Sequence, residues 1–133
     1  MRTIKEDNTR LRTYVSGPIT KGDRNWNQAQ ANIAHKALVQ AGFAVFNPIA
    51  TGILPFAWDG DISHEEWLEN CLPWVKVADM VLRLPGESVG ADTEVAYARH
   101  LGIPVYDPWD FACLREWFTP PPPAEEAAME AAA

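Results

Sequence analysis

Twice in this chain a short apolar run ends on a glycine-bearing loop that leads straight into a helical pattern, and that repeated junction limits the folds available. The first is Leu11 to Ser16, with β-favouring Thr13, Tyr14 and Val15, running into Gly17-Pro18-Ile19-Thr20-Lys21-Gly22. The second is Ala78 to Leu84, closed by Pro85-Gly86 and followed by Ser88-Val89-Gly90. Ala91 to Leu101 then has helical spacing, with its acids early and Arg99 and His100 late, as the helix dipole favours. Strands that hand over to helices in this way belong to parallel sheets, because parallel neighbours need a crossover between them.

The other segments extend the pattern. From Asp23 to Ala41 a helical stripe runs through Ile33, Ala34, Ala37 and Leu38 and stops at Gly42, and Phe43 to Phe46 is a second strand. Asn47 to Ile62, with two Pro and two Gly, is predicted to be a long structured loop that serves as a lid or binds a base. Ser63 to Glu66 is a capping box for a helix through Trp67, Leu68, Cys71 and Leu72, which Pro73 kinks or restarts before Val77. Asp79 is expected to cap or end that helix. Ile103 to Tyr106 is a fourth strand, and Asp107 to Phe118 is predicted to be a last amphipathic helix. Residues 1–10 are polar and expected to be disordered. Residues 119–133, with four consecutive Pro and an Ala/Glu tail, are expected to lie outside the fold.

With 133 residues, 47% of them apolar, the chain can build one core and not two. The expected fold is α/β, a Rossmann-like (flavodoxin-like) doubly wound parallel sheet of about four to five strands in a single domain, residues 11–118. A net charge of −7 without a Lys/Arg cluster argues against a nucleic-acid polymer or an anionic membrane as partner. Cys71 and Cys113 match no metal spacing, and neither do His35, His64 and His100, of which His64 borders the long loop. No metal or other cofactor is implied, and the expected setting is cytoplasmic with reduced thiols. Of six Trp, Trp26, Trp58 and Trp67 fall in or beside loops, where packing and base stacking both remain open.

In doubly wound sheets ligands collect at the carboxyl ends of the strands, so the two glycine loops should share one site. Ser88 and the free N–H groups around Gly90, at a helix start, suit a phosphate or ribose oxygen. Glu94 lies about one turn further on, and its side chain leans back over that loop. Asp92 points elsewhere on the helix.

The residues Tyr14-Val15-Ser16-Gly17-Pro18-Ile19-Thr20, then Ala78-Asp79, then Ser88-x-Gly90-x-x-x-Glu94, then Gly102-Ile103-Pro104-Val105 resemble the nucleoside 2-deoxyribosyltransferase superfamily over roughly residues 11–108. The nearest motifs are those of its nucleoside 5'-monophosphate N-hydrolases and small phage-type members. The resemblance implies that Glu94 is the nucleophile at C1' of the sugar and that Tyr14 lies beside it. The expected substrate-binding residues are Ser16, Gly17, Ile19, Thr20, Lys21, Ser88, Gly90, Trp58 and Cys71. An ionised carboxylate below C1' is what displacement through an oxocarbenium-like transition state requires. Nucleoside-using members tend to carry an acid at the position of Ser88, whereas monophosphate hydrolases carry Ser, since a carboxylate would repel the phosphate. Cys71 stands where the family usually has an aspartate. The implied activity is hydrolysis of a (deoxy)nucleoside 5'-monophosphate to base and sugar 5-phosphate through a glycosyl-glutamate intermediate. The alternatives are base exchange by a deoxyribosyltransferase and a catalytically silent nucleotide-binding module. The resemblance also implies a homodimer or larger homo-oligomer, and Trp109 and Trp117 of the last helix, or the nearby Tyr106, are expected at the contact.

Overall fold

A computed structural model describes residues 9–57 and 59–120. The strands are β1 (Arg12–Ser16), β2 (Ala44–Phe46), β3 (Met80–Arg83) and β4 (Val105–Tyr106), and the described residues arrange them as one parallel sheet in the order β2-β1-β3-β4. The expected α/β, Rossmann-like class is the observed one, with four strands. Chain order reverses between β1 and β3, so the switch point at which doubly wound folds bind ligands lies between these two strands.

The helices are α1 (Arg24–Gln40), α2 (His64–Lys76) and α3 (Val89–His100). Side chains alternate across a strand, and the core divides accordingly. Val15, Leu82 and Leu84 pack with Ala31, Ala34 and Leu38 of α1 on one face, together with Ile49, Leu114 and Phe118. Tyr14 and Val81 pack with Cys71 and Val75 of α2 and Ala98 of α3 on the other. The same alternation puts Tyr14 and Ser16 on the α3 side.

Three amides of α1 hold the loops at the carboxyl edge. The Asn27 Nδ2 donates to Ile19 O at 3.1 Å and Lys21 O at 2.9 Å, Gln28 Nε2 to Ile49 O at 2.6 Å, and Gln30 Nε2 to Pro85 O at 3.0 Å. Asn27 and Gln30 are buried, so these bonds satisfy the side-chain donors of α1 and tie the loop carbonyls to it. Arg83 performs a similar task for the second loop, donating to the Leu84 and Gly86 carbonyls and pairing with Asp92 at 3.2 Å.

Local differences from the sequence expectation have physical causes. Pro48–Ala57 is a 3-10 helix where a loop was expected. α2 runs through Pro73 without interruption, behind the capping box of Ser63 and Glu66. Asp79 does not cap α2, whose C-cap is Val77; its carboxylate accepts from Arg12 N at 2.7 Å and pairs with the Arg12 guanidinium at 3.4 Å. Hydrogen bonding from the Arg12 backbone, then its side chain, holds the Asp79 carboxyl below its ordinary value. α3 begins at Val89, two residues earlier than expected, because Ser88 is its N-cap and accepts from Ala91 N at 3.1 Å.

The last helix is absent. Pro108–Asp110 and Ala112–Leu114 are separate 3-10 turns, broken at Phe111, whose extended backbone sets its ring against Phe43 and Tyr106. Burying Leu114 and Phe118 against α1 outweighs helical continuity there. Arg10, grouped with the polar terminus on sequence, donates to the carbonyls of Val39 and Phe43, both at 3.2 Å. Residues 1–8 and 121–133 lie outside the described residues.

Gly86 has φ +120°, and a Cβ there would stand 2.7 Å from Pro18 Cγ. Gly86→Ala is expected to destabilise the fold by about 1–3 kcal/mol from backbone strain, with the clash added, read as a lower denaturant midpoint at unchanged slope.

Candidate active site

The two glycine loops meet at the switch point and, with the N-terminal ends of the three helices, enclose a cavity of about 490 Å³. That volume is within the range of small-molecule sites, roughly 300–1,000 Å³. Gly17, Ile19, Thr20 and Lys21 line it from the first loop and Ser88, Gly90 and Glu94 from the second, while Cys71 forms part of the α2 wall. Tyr14 and Ser16 stand one layer behind Glu94. Trp58 lies outside the described residues, and Trp26 is half exposed and does not line the cavity.

Glu94 is 7% exposed, at the cavity floor. Both of its oxygens are engaged: the Tyr14 hydroxyl donates to Oε2 and the Ser16 hydroxyl to Oε1 at 3.2 Å. Burial pushes the Glu94 carboxyl above its ordinary value, and the hydrogen bonds from Tyr14 and Ser16, with the Arg83 charge, oppose this without cancelling it. Burial, followed by the Glu94 charge, pushes the Tyr14 phenol upward, so it stays a neutral donor. The Cys71 thiol is pushed up chiefly by burial and faces the cavity as S–H.

Elsewhere the lining mixes charge and apolar surface. Lys21 Nζ is 3.0 Å from Glu87 Oε1, a pair that bridges the two loops on the solvent side. Trp67 Nε1 donates to Asp61 Oδ1 at 3.3 Å, and both residues line the cavity with Leu68. Sequence reasoning missed Arg24, Asp61 and His64 as lining groups. Asp23 caps α1 and Ser63 caps α2, so Arg24 and His64 are each the first helical residue at the carboxyl edge. Two N-cap signals in the sequence were therefore pointers to the site. Asp92 is turned to Arg83, away from the cavity.

Floor and walls together offer one desolvated carboxylate with two hydroxyl donors, and an anion-compatible helix start one turn away. A family model described as "Domain of unknown function (DUF4406)" matches residues 11–107. The chain belongs to that family. No curated protein matches this DUF4406 chain. Among solved structures it is similar to a 2-deoxyribosyltransferase from the psychrotolerant bacterium Bacillus psychrosaccharolyticus, at TM-score 0.50 and 21% identity. The match covers 72% of this chain and 70% of that one, and it is a likeness of fold.

A carboxyl whose pKa is raised in the native state binds its proton more tightly there than in the unfolded chain, so stability falls as pH climbs through and above the ordinary glutamate range. Glu94→Gln removes that penalty. The variant is expected to melt above the parent at pH 7.5, with the gap closing by about pH 4, where unfolded glutamate is itself largely protonated. Paired melting curves across this range check the sign.

Proposed function

We propose that the cavity is the active site of an N-glycosidase that hydrolyses a (deoxy)nucleoside 5'-monophosphate to free base and sugar 5-phosphate. The observation that carries this is the buried Glu94 with both oxygens held by Tyr14 and Ser16, one helical turn from the Ser88–Gly90 start of α3. The ionised Glu94 attacks C1', the N-glycosidic bond breaks with its electron pair on the base, and the base takes up a proton. Water then displaces the carboxylate from C1' and releases the sugar phosphate. Tyr14 and Ser16 fix the carboxylate's orientation, and its burial makes it a stronger nucleophile once ionised. Ser88, the N–H groups at Gly90, and Thr20 and Lys21 receive the 5'-phosphate. Homodimer formation belongs to the same proposal.

Base exchange is the second reading, supported by the fold shared with a protein described as a 2-deoxyribosyltransferase. Free base added to the reaction separates the two, because exchanged nucleotide appears only if a base can replace water. Tight nucleotide binding without turnover would select a silent binding module, to which Cys71 in place of a carboxylate lends weight.

Chromatography of the purified protein with common nucleosides and their monophosphates is expected to show base release from a monophosphate. Glu94→Ala should lower that turnover by roughly a thousandfold or more with the fold intact. Ser88→Asp keeps an N-cap, so α3 survives, but sets a carboxylate against the phosphate. Monophosphate kcat/KM should drop by on the order of tenfold to a hundredfold relative to the free nucleoside. Equal slowing of both substrates contradicts the phosphate assignment.

The acid limb of kcat/KM reports ionisation of Glu94 in the free enzyme. Because Tyr14 lowers that pKa and burial raises it, the limb should lie above the ordinary glutamate value, and Tyr14→Phe should move it to still higher pH. A limb that stays in place under Tyr14→Phe removes Tyr14 from this role.

A further inference from the structure

Among the described residues, Arg24 and His64 line the cavity with side chains that have no hydrogen-bond or ion-pair partner, whereas Lys21 is paired with Glu87 and Asp61 with Trp67. Of the two, His64 is the one that stands beside Gly90. A Cβ built on Gly90 would stand 3.4 Å from His64 Cε1 and 4.0 Å from Ser88 Oγ, so the imidazole edge and the serine hydroxyl flank one notch above the Gly90 backbone. Cε1 faces the notch and both ring nitrogens lie more than 4 Å from that point, but a half-turn of this exposed ring about Cβ–Cγ exchanges Cε1 with Nε2 and brings that nitrogen toward whatever Ser88 holds. Either neutral tautomer of imidazole carries one N–H donor.

Backbone geometry keeps His64 there. It is the first residue of α2, behind a capping box in which Glu66 N donates to Ser63 Oγ and Ser63 N to Glu66 Oε1, both at 3.1 Å. Gly90 and Glu94 are four residues apart on one helix face, separated by about 6 Å along the axis. A pentose spans that interval between C1' and its 5'-phosphate. We infer that His64 is a specificity-determining residue, donating from α2 to a substrate phosphate seated in the notch between Ser88 and Gly90. This rests on the monophosphate reading above and adds to it a ligand from a second helix.

The test titrates inorganic phosphate by calorimetry into the full-length parent, His64→Ala and His64→Asn. His64 is exposed, so both variants are expected to fold, which circular dichroism verifies. Phosphate should bind the parent, bind His64→Ala on the order of tenfold to a hundredfold more weakly, and recover in part in His64→Asn, whose amide keeps a donor. The ratio of kcat/KM for a 5'-monophosphate over its nucleoside should fall by a similar factor in His64→Ala. A parent that does not bind phosphate, or an alanine variant that binds it equally well, overturns the inference. Histidine-dependent phosphate binding without nucleotide cleavage supports the inference and sinks the glycosidase reading. Cleavage with an unchanged ratio overturns the role of His64 alone.

Discussion

The cavity depends on how closely the loops leaving β1 and β3 approach each other. The last rung between them runs from Leu84 N to Ser16 O at 2.7 Å, and past it the chains stay in contact only because side chains are missing. A Cβ on Gly17 would stand 3.0 Å from Leu84 Cβ, and one on Gly86 would press on the Pro18 ring. This contact places Ser16 beside the start of α3 and sets Glu94 under it. Any residue that wedged the loops apart would pull the serine donor from the carboxylate before it disturbed the core.

Helix α1 supplies the second constraint, and it does so with polar groups on a buried face. Asn27, Gln28 and Gln30 each donate to a carbonyl of a different segment at the carboxyl edge: the first glycine loop, the 3-10 helix and the second glycine loop. Loops cannot satisfy their own backbone groups as helices do, so a helix that offers amides toward them fixes their shape at a cost in apolar burial. Residues of α1 that only pack, such as Ala31, Ala34 and Leu38, lie mostly toward its C-terminal half. The helix thus has an apolar end for the sheet and a polar end for the site.

Much of this was legible because it is periodic. Alternation in TYVS places Tyr14 and Ser16 on one face, and the tilt of helical side chains brings Glu94 back over its loop. What sequence did not reveal depends on pairings distant along the chain or on packing. Asp79 read as capping or ending the helix before it, yet its partner is Arg12, on the neighbouring strand and distant along the chain. Asp107 to Phe118 has amphipathic spacing, but the Phe111 ring is claimed by Phe43 and Tyr106, and the helix breaks to allow it. Arg24 carries no sequence signal of its own, and His64 showed only that it borders the long loop and matches no ligand spacing. Only the sheet topology turns those positions toward a common cavity.

The ion pair of Lys21 and Glu87 has a consequence for how the cavity is entered. With the lysine already matched by a carboxylate, the resting mouth shows an approaching anion less positive charge than its residue types suggest. An anion that takes the lysine releases Glu87 to the solvent side, so part of the attraction is spent on exchange of one carboxylate for another ligand. Both partners are well exposed, and the pair is open to screening by dissolved ions. Salt therefore weakens the internal competitor and the incoming anion together. Net charge at the entrance becomes a property of the surrounding electrolyte as well as of the chain.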